Sequence, residues 1–531
     1  MRYRSQELAR LILPQSRYSY DILVYIGKEI FLHSRNETQI LGQLLHRGIE
    51  ISRSQVVYLA KKFIVTLSIV HKQSSPAMKE KMRLRGGYIL HLDGTSEDDS
   101  PHLMSILDGI SQIVLDNIKI PSENAGDLIP FLKRVKQRFG TPIATVHDMG
   151  KAIINAMCIV FKGVRDFICH FHFLRDIGKD LFGKENDAIR KRLSKKAIQG
   201  FLCKQASSLK EFSETDVQLL SYFENMVQQK STMTGPHYYD IKPDIIAYLL
   251  INWALEGKRV GNGYGFPFDR PCLSFYLRLK IVYSAISELR YTVVDHTGKK
   301  KKLLGKIWKK IGDTIHDPIL KNQARCMQKK VDVFDRLRNA MRIALPEGKN
   351  GLNDKGECEK DMESIENKVI KFQTWLENSK LCEKDIAYKK MYGQIEKYWS
   401  KLFADPIVKK TKTGPVTIYP QRTNNILERF FRDLRRTYRK KSGNNSLSKT
   451  LKAMIADTPL VKNLENPEYL KTILDGSKTL EERFAQINSQ LVRQEMLRVE
   501  EENRKMHPKI RKIIKSETLP DKLVKMFHKC Q

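Results

Sequence analysis

The sequence lacks the features of a secreted or membrane-embedded protein. None of its apolar runs reaches the roughly 18 residues that a membrane-spanning helix needs. Its first twenty residues show neither a long apolar core nor a small-residue cleavage site, so we expect no secretory signal. The eight cysteines lie apart, without a Cys-x-x-Cys pair. This spacing argues against a disulfide framework or a zinc ribbon and favours a reducing interior.

Negative charge is also scarce. The 531 residues contain 60 Asp and Glu against 94 Lys and Arg, which gives a formal net charge of +34 at pH 7. Such an excess favours a polyanionic partner, and nucleic acid is the usual one. The apolar fraction of 41% still allows sizeable cores, and the length allows three or four domains.

Two amphipathic stretches around Gly48 predict a pair of helices near the N-terminus. Ser52 can cap the second helix, and Gln55 completes a capping box. Its apolar stripe is Val56, Leu59, Ala60 and Phe63. The residues away from that stripe that are candidates for base contacts are Arg53, Gln55, Tyr58 and Lys61. The pattern fits an ordinary helical hairpin and a helix-turn-helix with its second helix in the major groove equally well.

A polar, basic stretch at 78–87 predicts a linker, and after it the hydrophobic period changes. The following pattern predicts the element order β-β-β-α-β-α-β-α, with strand ends at Asp93 and Asp148 and a type I′ hairpin turn at Asp108-Gly109. This order describes an α/β fold with a mixed sheet that carries helices on both faces. Side chains at the strand ends of such sheets converge.

From about 180 to 410 the pattern is helical, with loops at 257–271 and 346–357. The Gly-rich stretch at 261–265 neither follows a strand nor opens a helix, and it runs into Pro267. A nucleotide-binding loop is therefore disfavoured.

Three acidic residues suit phosphodiester chemistry. Asp93 and Asp148 are at predicted strand ends, and Glu428 lies one turn into a basic helix that Asn424 can cap. Two Mg²⁺ ions about 3.5–4 Å apart can activate an oxygen nucleophile and stabilise a leaving oxygen. Carboxylate oxygens are the ligands that Mg²⁺ prefers.

Other candidate ligands are less favoured. The acidic run at 97–99 is typical of a solvated turn, and Asp166 and Asp176 read as ordinary surface residues. Cys169, His170 and His172 suggest zinc, but a tetrahedral site takes about four ligands and no second cluster follows at a suitable spacing.

Four motifs occur in a fixed order: LHLDGT, TVHDMGKAI, CHFHFLRD and TNNILERFFRDLRR. Together they resemble a DDE transposase with an RNase H-like core, closest to the Mutator-like and related bacterial insertion-sequence families. A helical insertion separates the second and third acids in such enzymes, and here 280 positions separate Asp148 from Glu428. Many relatives have a Cys-x-x-His after the second acid, which matches Cys169 and His172.

The resemblance implies roles for individual residues. Asp93, Asp148 and Glu428 would be catalytic and would hold two Mg²⁺ or Mn²⁺ ions, with Cys169, His172 and Asn424 supporting the site. Four arginines on the Glu428 helix would follow the DNA backbone: Arg432, Arg435, Arg436 and Arg439. The partners would be the element ends and target double-stranded DNA, bound by a homodimer or higher oligomer, in the nucleoid of a prokaryote or the nucleus of a eukaryote. A membrane partner is not expected.

The expected fold is therefore an RNase H-like mixed sheet, interrupted by a large all-α insertion and preceded by a helical DNA-binding region. The predicted segments are 1–77 (DNA-binding helices), 78–87 (linker), 88–180 (first part of the core), 181–412 (insertion), 413–458 (last part of the core) and 459–531 (helical). Two alternatives remain. One is a catalytically inactive, element-derived DNA-binding protein. The other is an RNase H-like nuclease that cuts without rejoining.

Overall fold

The computed structural model describes residues 5–214, 221–228, 243–292, 299–346, 359–443 and 446–528, except positions 15, 222, 225, 226, 404, 413, 505–509, 511 and 512. The chain divides into two compact units. The first comprises 1–169, 356–362 and 400–531, and the second comprises 170–355 and 363–399. The second unit overlaps the predicted insertion 181–412, although its bounds differ. Most of the predicted loop at 346–357 lies outside the described residues.

Five helices precede the sheet: α1 (Gln6–Leu11), α2 (Tyr20–Phe31), α3 (Glu37–His46), α4 (Arg53–Gln73) and α5 (Ser75–Leu84). Ser52 caps α4 by accepting a hydrogen bond from the Gln55 backbone N–H at 3.3 Å. The reciprocal capping box is found instead at α3, between Asn36 and Gln39. The predicted apolar stripe of α4 is buried, as expected.

The stretch 78–87, predicted as a linker, is helical through Leu84. Met78 and Met82 are buried one turn apart, so this basic helix has an apolar side. The linker prediction considered only the polar composition of the segment and missed that side.

A five-stranded mixed sheet forms the centre of the first unit, and the predicted order of strands and helices is confirmed. Its strands are β1 (Ile89–Thr95), β2 (His102–Asp108), β3 (Val114–Ile120), β4 (Ala144–His147) and β5 (Arg165–Ile168), with helices α6 (Ala125–Phe139) and α7 (Lys151–Val160) between the later strands. The strand order is β3-β2-β1-β4-β5. Strand β1 is antiparallel to β2 and parallel to β4, and β4 is parallel to β5.

The predicted type I′ turn at Asp108-Gly109 is wrong. A type I′ turn needs positive φ at both central residues, but in the β2–β3 connection the residue with positive φ is Gln112, at +57°. The Asp108 carboxylate instead organises a longer loop by accepting hydrogen bonds from the backbone of Ile110 and Ser111. Glycine is required at 109 for space, because an added Cβ would lie 2.6 Å from Nε2 of His91.

The helical stretch after β5 contains α8 (His170–Lys195), α9 (Ile198–Glu214), α10 (Pro243–Glu256), α11 (Pro271–Thr292), α12 (Lys299–Ile315), α13 (Pro318–Met341), α14 (Glu359–Asn378), α15 (Leu381–Lys384) and α16 (Ile386–Leu402). In the second unit, the Gly-rich stretch 261–265 is a loop fixed by Asp269, which accepts from the backbone N–H of Asn262 and Gly265. The backbone N–H groups of Asn262 and Gly265 are therefore bound to Asp269 within the protein, as the sequence prediction against a nucleotide-binding loop anticipates.

The chain then forms a hairpin of β6 (Ile407–Thr411) and β7 (Gly414–Ile418), followed by helices α17 (Asn425–Ser442) and α18 (Leu447–Ala453), a 3₁₀ helix (Thr458–Glu465), and helices α19 (Pro467–Leu474), α20 (Leu480–Ala485), α21 (Ser489–Arg504) and α22 (Leu519–His528). Buried residues of the N-terminal helices, the sheet and these C-terminal helices belong to one hydrophobic cluster. His71 of α4 joins all three, since its ring nitrogens bond the Tyr469 hydroxyl at 3.0 Å and the Leu115 carbonyl at 2.8 Å. The N-terminal helices thus share the core of the sheet.

None of the described helices is both long enough and apolar enough to cross a membrane.

Candidate active site

Asp93 and Asp148 lie at the same end of two adjacent strands of the sheet, β1 and β4. Leu92 of β1 pairs with His147 of β4, and each acid is the next residue along its chain. Asp93 lies within β1, which continues to Thr95, whereas Asp148 follows the last residue of β4. Because adjacent strands are about 4.8 Å apart, this register brings the two acids to one edge.

Asn424 ties that edge to the start of α17. Its side-chain amide donates to the Leu92 carbonyl at 2.9 Å and to Oδ1 of Asp148 at 3.4 Å, and its backbone N–H donates to Sγ of Cys169 at 3.3 Å. Asn424 is the N-cap residue, as expected, but its side chain makes no capping bond. This fully buried side chain is committed to the sheet instead.

Glu428 lies in the first turn of α17, where its backbone N–H donates to the Asn424 carbonyl at 3.0 Å. The residue is half-buried. Leu427 and Phe430 bury the neighbouring side of the helix, and α17 packs against β1. The structure therefore connects Glu428, through Asn424, to the strand ends that carry Asp93 and Asp148.

Cys169 is a buried cysteine directly after β5, and its backbone N–H donates to the His147 carbonyl at 2.9 Å. Its Sγ and a carboxylate oxygen of Asp148 lie no more than 4.8 Å apart. His172 is in the first turn of α8, three residues later, in the second unit. A tetrahedral zinc site takes about four ligands, and the Asp148–Cys169 pair supplies two.

Asp166 was expected at the surface, and that prediction is wrong. Its carboxylate accepts from the Thr145 hydroxyl at 2.7 Å, from Nε2 of His147 at 2.6 Å and from Nζ of Lys401 at 2.5 Å. Burial alone would raise the pKa of Asp166, but these hydrogen bonds and charges hold it well below its usual range. The other ring nitrogen of His147 lies 2.6 Å from the Asp148 carbonyl. Asp166 therefore fixes the residue that precedes Asp148.

Glu123 is a carboxylate near the site that sequence reasoning missed. Its pKa is raised, first by partial desolvation and then by the negative charge of Asp148. An added Cβ at Gly150 would lie 2.3 Å from Oε1 of Glu123, so this carboxylate lies over the turn that follows Asp148. Glu123 sits in the loop before α6, where no pattern in the sequence distinguishes it.

The acidic run after β1 is not simply solvated. Glu97 accepts from the Ser448 backbone N–H at 2.9 Å, and Asp99 pairs with Nζ of Lys452 at 2.8 Å. These contacts tie α18 to the turn after β1, and the charge of Arg435 adds to the causes that lower the pKa of Glu97. Glu97 and Asp99 are thus engaged away from the strand-end acids.

The basic side of α17 is exposed. The four arginines that the sequence singled out are all exposed: Arg432, Arg435, Arg436 and Arg439. Exposure therefore increases along the helix, from the buried Asn424 through the half-buried Glu428 to these arginines. Arg436 is also within 4.0 Å of Asp433, a distant and exposed ion pair that leaves its guanidinium accessible.

The first turns of α4 present polar side chains to solvent. Arg53, Tyr58 and Lys61 are exposed and Gln55 is half-buried. Arg53 pairs with Glu37 at 2.8 Å. From Phe63 to His71 every residue of the helix is buried, and Gln73 at its end is exposed again.

Compared with models of protein families and with curated proteins, the chain matches none of them.

Proposed function

We propose that the chain is a DDE transposase that cleaves DNA strands and joins them to a target. The observation that carries this proposal is the set of hydrogen bonds made by Asn424. Its side-chain amide donates to the Leu92 carbonyl of β1 and to Asp148, and its backbone carbonyl accepts from the backbone N–H of Glu428 in the first turn of α17. In this proposal the Asn424 amide helps to bring Asp93, Asp148 and Glu428 to one edge of the sheet, although 280 positions separate Asp148 from Glu428 in the sequence. The strand order is compatible with the RNase H-like core that the motifs imply.

The donor atoms suit hard divalent cations. Asp93, Asp148 and Glu428 offer carboxylate oxygens, which Mg²⁺ and Mn²⁺ prefer over softer ligands. When bound, two such ions would supply an activated water and charge stabilisation at the phosphate. The protein's part is to hold the carboxylates: Asn424 orients Asp148, and the Asp166–His147 pair fixes the backbone beside it.

The exposed arginines of α17 would bind the phosphates of the DNA substrate. They follow Glu428 along the same helix, so a duplex whose phosphate lies at the acids would run along them. A guanidinium grips a phosphate with two parallel hydrogen bonds. Contacts of this kind fix the register of the DNA without reading its sequence.

Sequence recognition is assigned to the first turns of α4. Arg53, Tyr58 and Lys61 are exposed there, and residues at the start of a recognition helix are the ones that contact base edges. The ion pair between Arg53 and Glu37 is exposed, so a phosphate or a guanine can displace it at little cost.

The test is an assay of strand cleavage and joining on DNA that flanks the gene. Purified protein with Mg²⁺ should nick at the boundary of the element and join the freed 3′ end to a target plasmid. The matched control is Asp98→Asn, which changes an exposed acid of the nearby turn at positive φ, a conformation that Asn accepts. This variant should retain activity.

Each other outcome selects an alternative. Cleavage without joining would identify a nuclease. Specific binding without either reaction would identify an element-derived DNA-binding protein.

A further inference from the structure

His91 is fully buried two residues before Asp93 in β1. Alternate residues of a strand face the same side of the sheet, so His91 and Asp93 share a face. Nδ1 of His91 lies 2.9 Å from Oδ1 of Asn424. His91 therefore contacts, from the Asp93 side of the sheet, the amide that holds Asp148.

The Leu92 carbonyl fixes the direction of the hydrogen bonds that link it, through the Asn424 side chain, to His91. The Leu92 carbonyl can only accept, so the atom of the Asn424 amide that faces it at 2.9 Å is Nδ2. The other amide atom, Oδ1, then faces His91 and can only accept. Nδ1 of His91 is therefore protonated and donates to Oδ1.

The opposite nitrogen of His91 shows that the imidazole is costly here. Nε2 is buried without a hydrogen-bond partner among the described residues, against the backbone of Gly109. An unsatisfied buried polar atom costs about 1–3 kcal/mol. A leucine would fill the space without that cost, so what histidine adds at this position is the Nδ1–H bond.

We propose that His91 is a positioning residue of the candidate active site, which fixes the Asn424 amide so that Nδ2 faces the Asp148 carboxylate. A reversed amide would place Oδ1 against the Leu92 carbonyl and the Asp148 carboxylate, and both contacts would be repulsive. The Nδ1–H of His91 excludes that arrangement because it needs an acceptor. This inference rests on the proposed function, since it assigns Asp148 to the metal-binding carboxylates.

The experiment compares His91→Leu with His91→Asn, two side chains of nearly equal size. Asn places an N–H close to the position of Nδ1, whereas Leu has no donor. Outer-shell partners of metal ligands change affinity or activity by about 10–100-fold. His91→Leu should therefore weaken Mn²⁺ binding, measured by calorimetry, and slow cleavage of the flanking DNA by that order. His91→Asn should restore both.

A double variant tests whether His91 acts through Asn424. Residues that act as one unit have non-additive effects. If the inference is right, His91→Leu combined with Asn424→Ala is no slower than Asn424→Ala alone. Multiplied losses would overturn it, and so would equal losses of thermal stability, Mn²⁺ affinity and cleavage in His91→Leu and His91→Asn, since that result assigns packing alone.

The two proposals fail in different ways. A wild-type protein that binds Mn²⁺ and cleaves DNA, with His91→Leu unaffected, overturns the positioning role alone. A wild-type protein that neither binds Mn²⁺ nor cleaves overturns both.

Discussion

Asn424 donates its side-chain amide to the Leu92 carbonyl at 2.9 Å, across 332 positions of sequence. This bond joins the first helix turn of the last motif to the central strand of the sheet. The same amide reaches Asp148, so one small side chain links the three acidic segments. On the proposed function, variants of this site and of the predicted DNA-binding residues are expected to separate catalysis, DNA binding and stability.

Asp148→Asn should abolish strand cleavage and leave DNA affinity nearly unchanged. Metal binding depends on a few carboxylates, whereas affinity for DNA is the sum of many cationic contacts. The measurement is cleavage of end-labelled flanking DNA together with a mobility-shift titration. Cleavage at the wild-type rate would remove Asp148 from the site.

Arg435→Ala should weaken binding to any duplex and make its salt dependence shallower. One lost phosphate contact lowers the slope of log K against log salt by about 0.9. Arg435→Lys should restore only part of the affinity, because lysine keeps the charge but loses the planar fork. A salt titration for each variant measures both effects.

The control for this experiment is Arg83→Ala, since both Glu80 oxygens already bind that exposed guanidinium. It should leave slope and affinity close to wild type. If Arg435→Ala behaves in the same way, the exposed arginines of α17 face solvent and the DNA runs elsewhere.

Replacing Arg53, Gln55 and Tyr58 together with Ala should reduce binding to the element ends far more than binding to random duplex. Base contacts specify a sequence, and phosphate contacts only position the protein. Competition between the two DNAs gives the ratio. An equal loss on both would limit these residues to electrostatic contacts or packing.

Asp166→Asn should lower the free energy of unfolding by about 1–3 kcal/mol at neutral pH, because the partners of this half-buried carboxylate lose their charged acceptor. The pKa of Asp166 is lower in the folded state than in the unfolded state, where it is about 3.9. The charged carboxylate therefore stabilises the fold at pH values above about 3.9. That contribution is lost as the pH falls from about 4 through the folded pKa.

Denaturant unfolding from pH 7 to pH 3 should therefore show a steeper loss of stability for wild type than for Asp166→Asn. Asp433→Asn is the matched control, since that carboxylate is half-exposed and its arginine partner is 4.0 Å away. It should change the unfolding free energy by no more than about 0.5 kcal/mol. Parallel pH curves for wild type and Asp166→Asn would show that Asp166 adds no net stability.

Gly109→Ala should destabilise the protein by about 1–3 kcal/mol, because the new methyl group would lie 2.6 Å from the buried ring of His91. Gly42→Ala is the control, since its Cβ would meet nothing within 4 Å and it lies inside α3. Alanine there should stabilise the helix by about 0.5–1 kcal/mol. Thermal unfolding of both variants checks the pair, and an unaffected Gly109→Ala would mean that the ring has room to move.

The sequence predicted what local chemistry controls. Alternating and helical periods placed the five strands and their helices in order, and the same patterns marked Asp93 and Asp148 at the strand ends and Glu428 near a helix start. Periodicity works here because each strand or helix buries its own apolar side. It erred at 78–87, where a basic helix with two buried methionines resembles a linker in composition.

Only the tertiary structure decided which distant residues meet. The bonds of Asn424 to His91 and Leu92, the burial of Asp166 between His147 and Lys401, and the place of Glu123 over Gly150 join segments with no shared local pattern. The reason is physical: an isolated polar residue leaves no periodic signal, and its partner is fixed when packing brings two surfaces together and every buried polar group must be satisfied. Local periods therefore determined the elements, and strand register and helix docking determined the site.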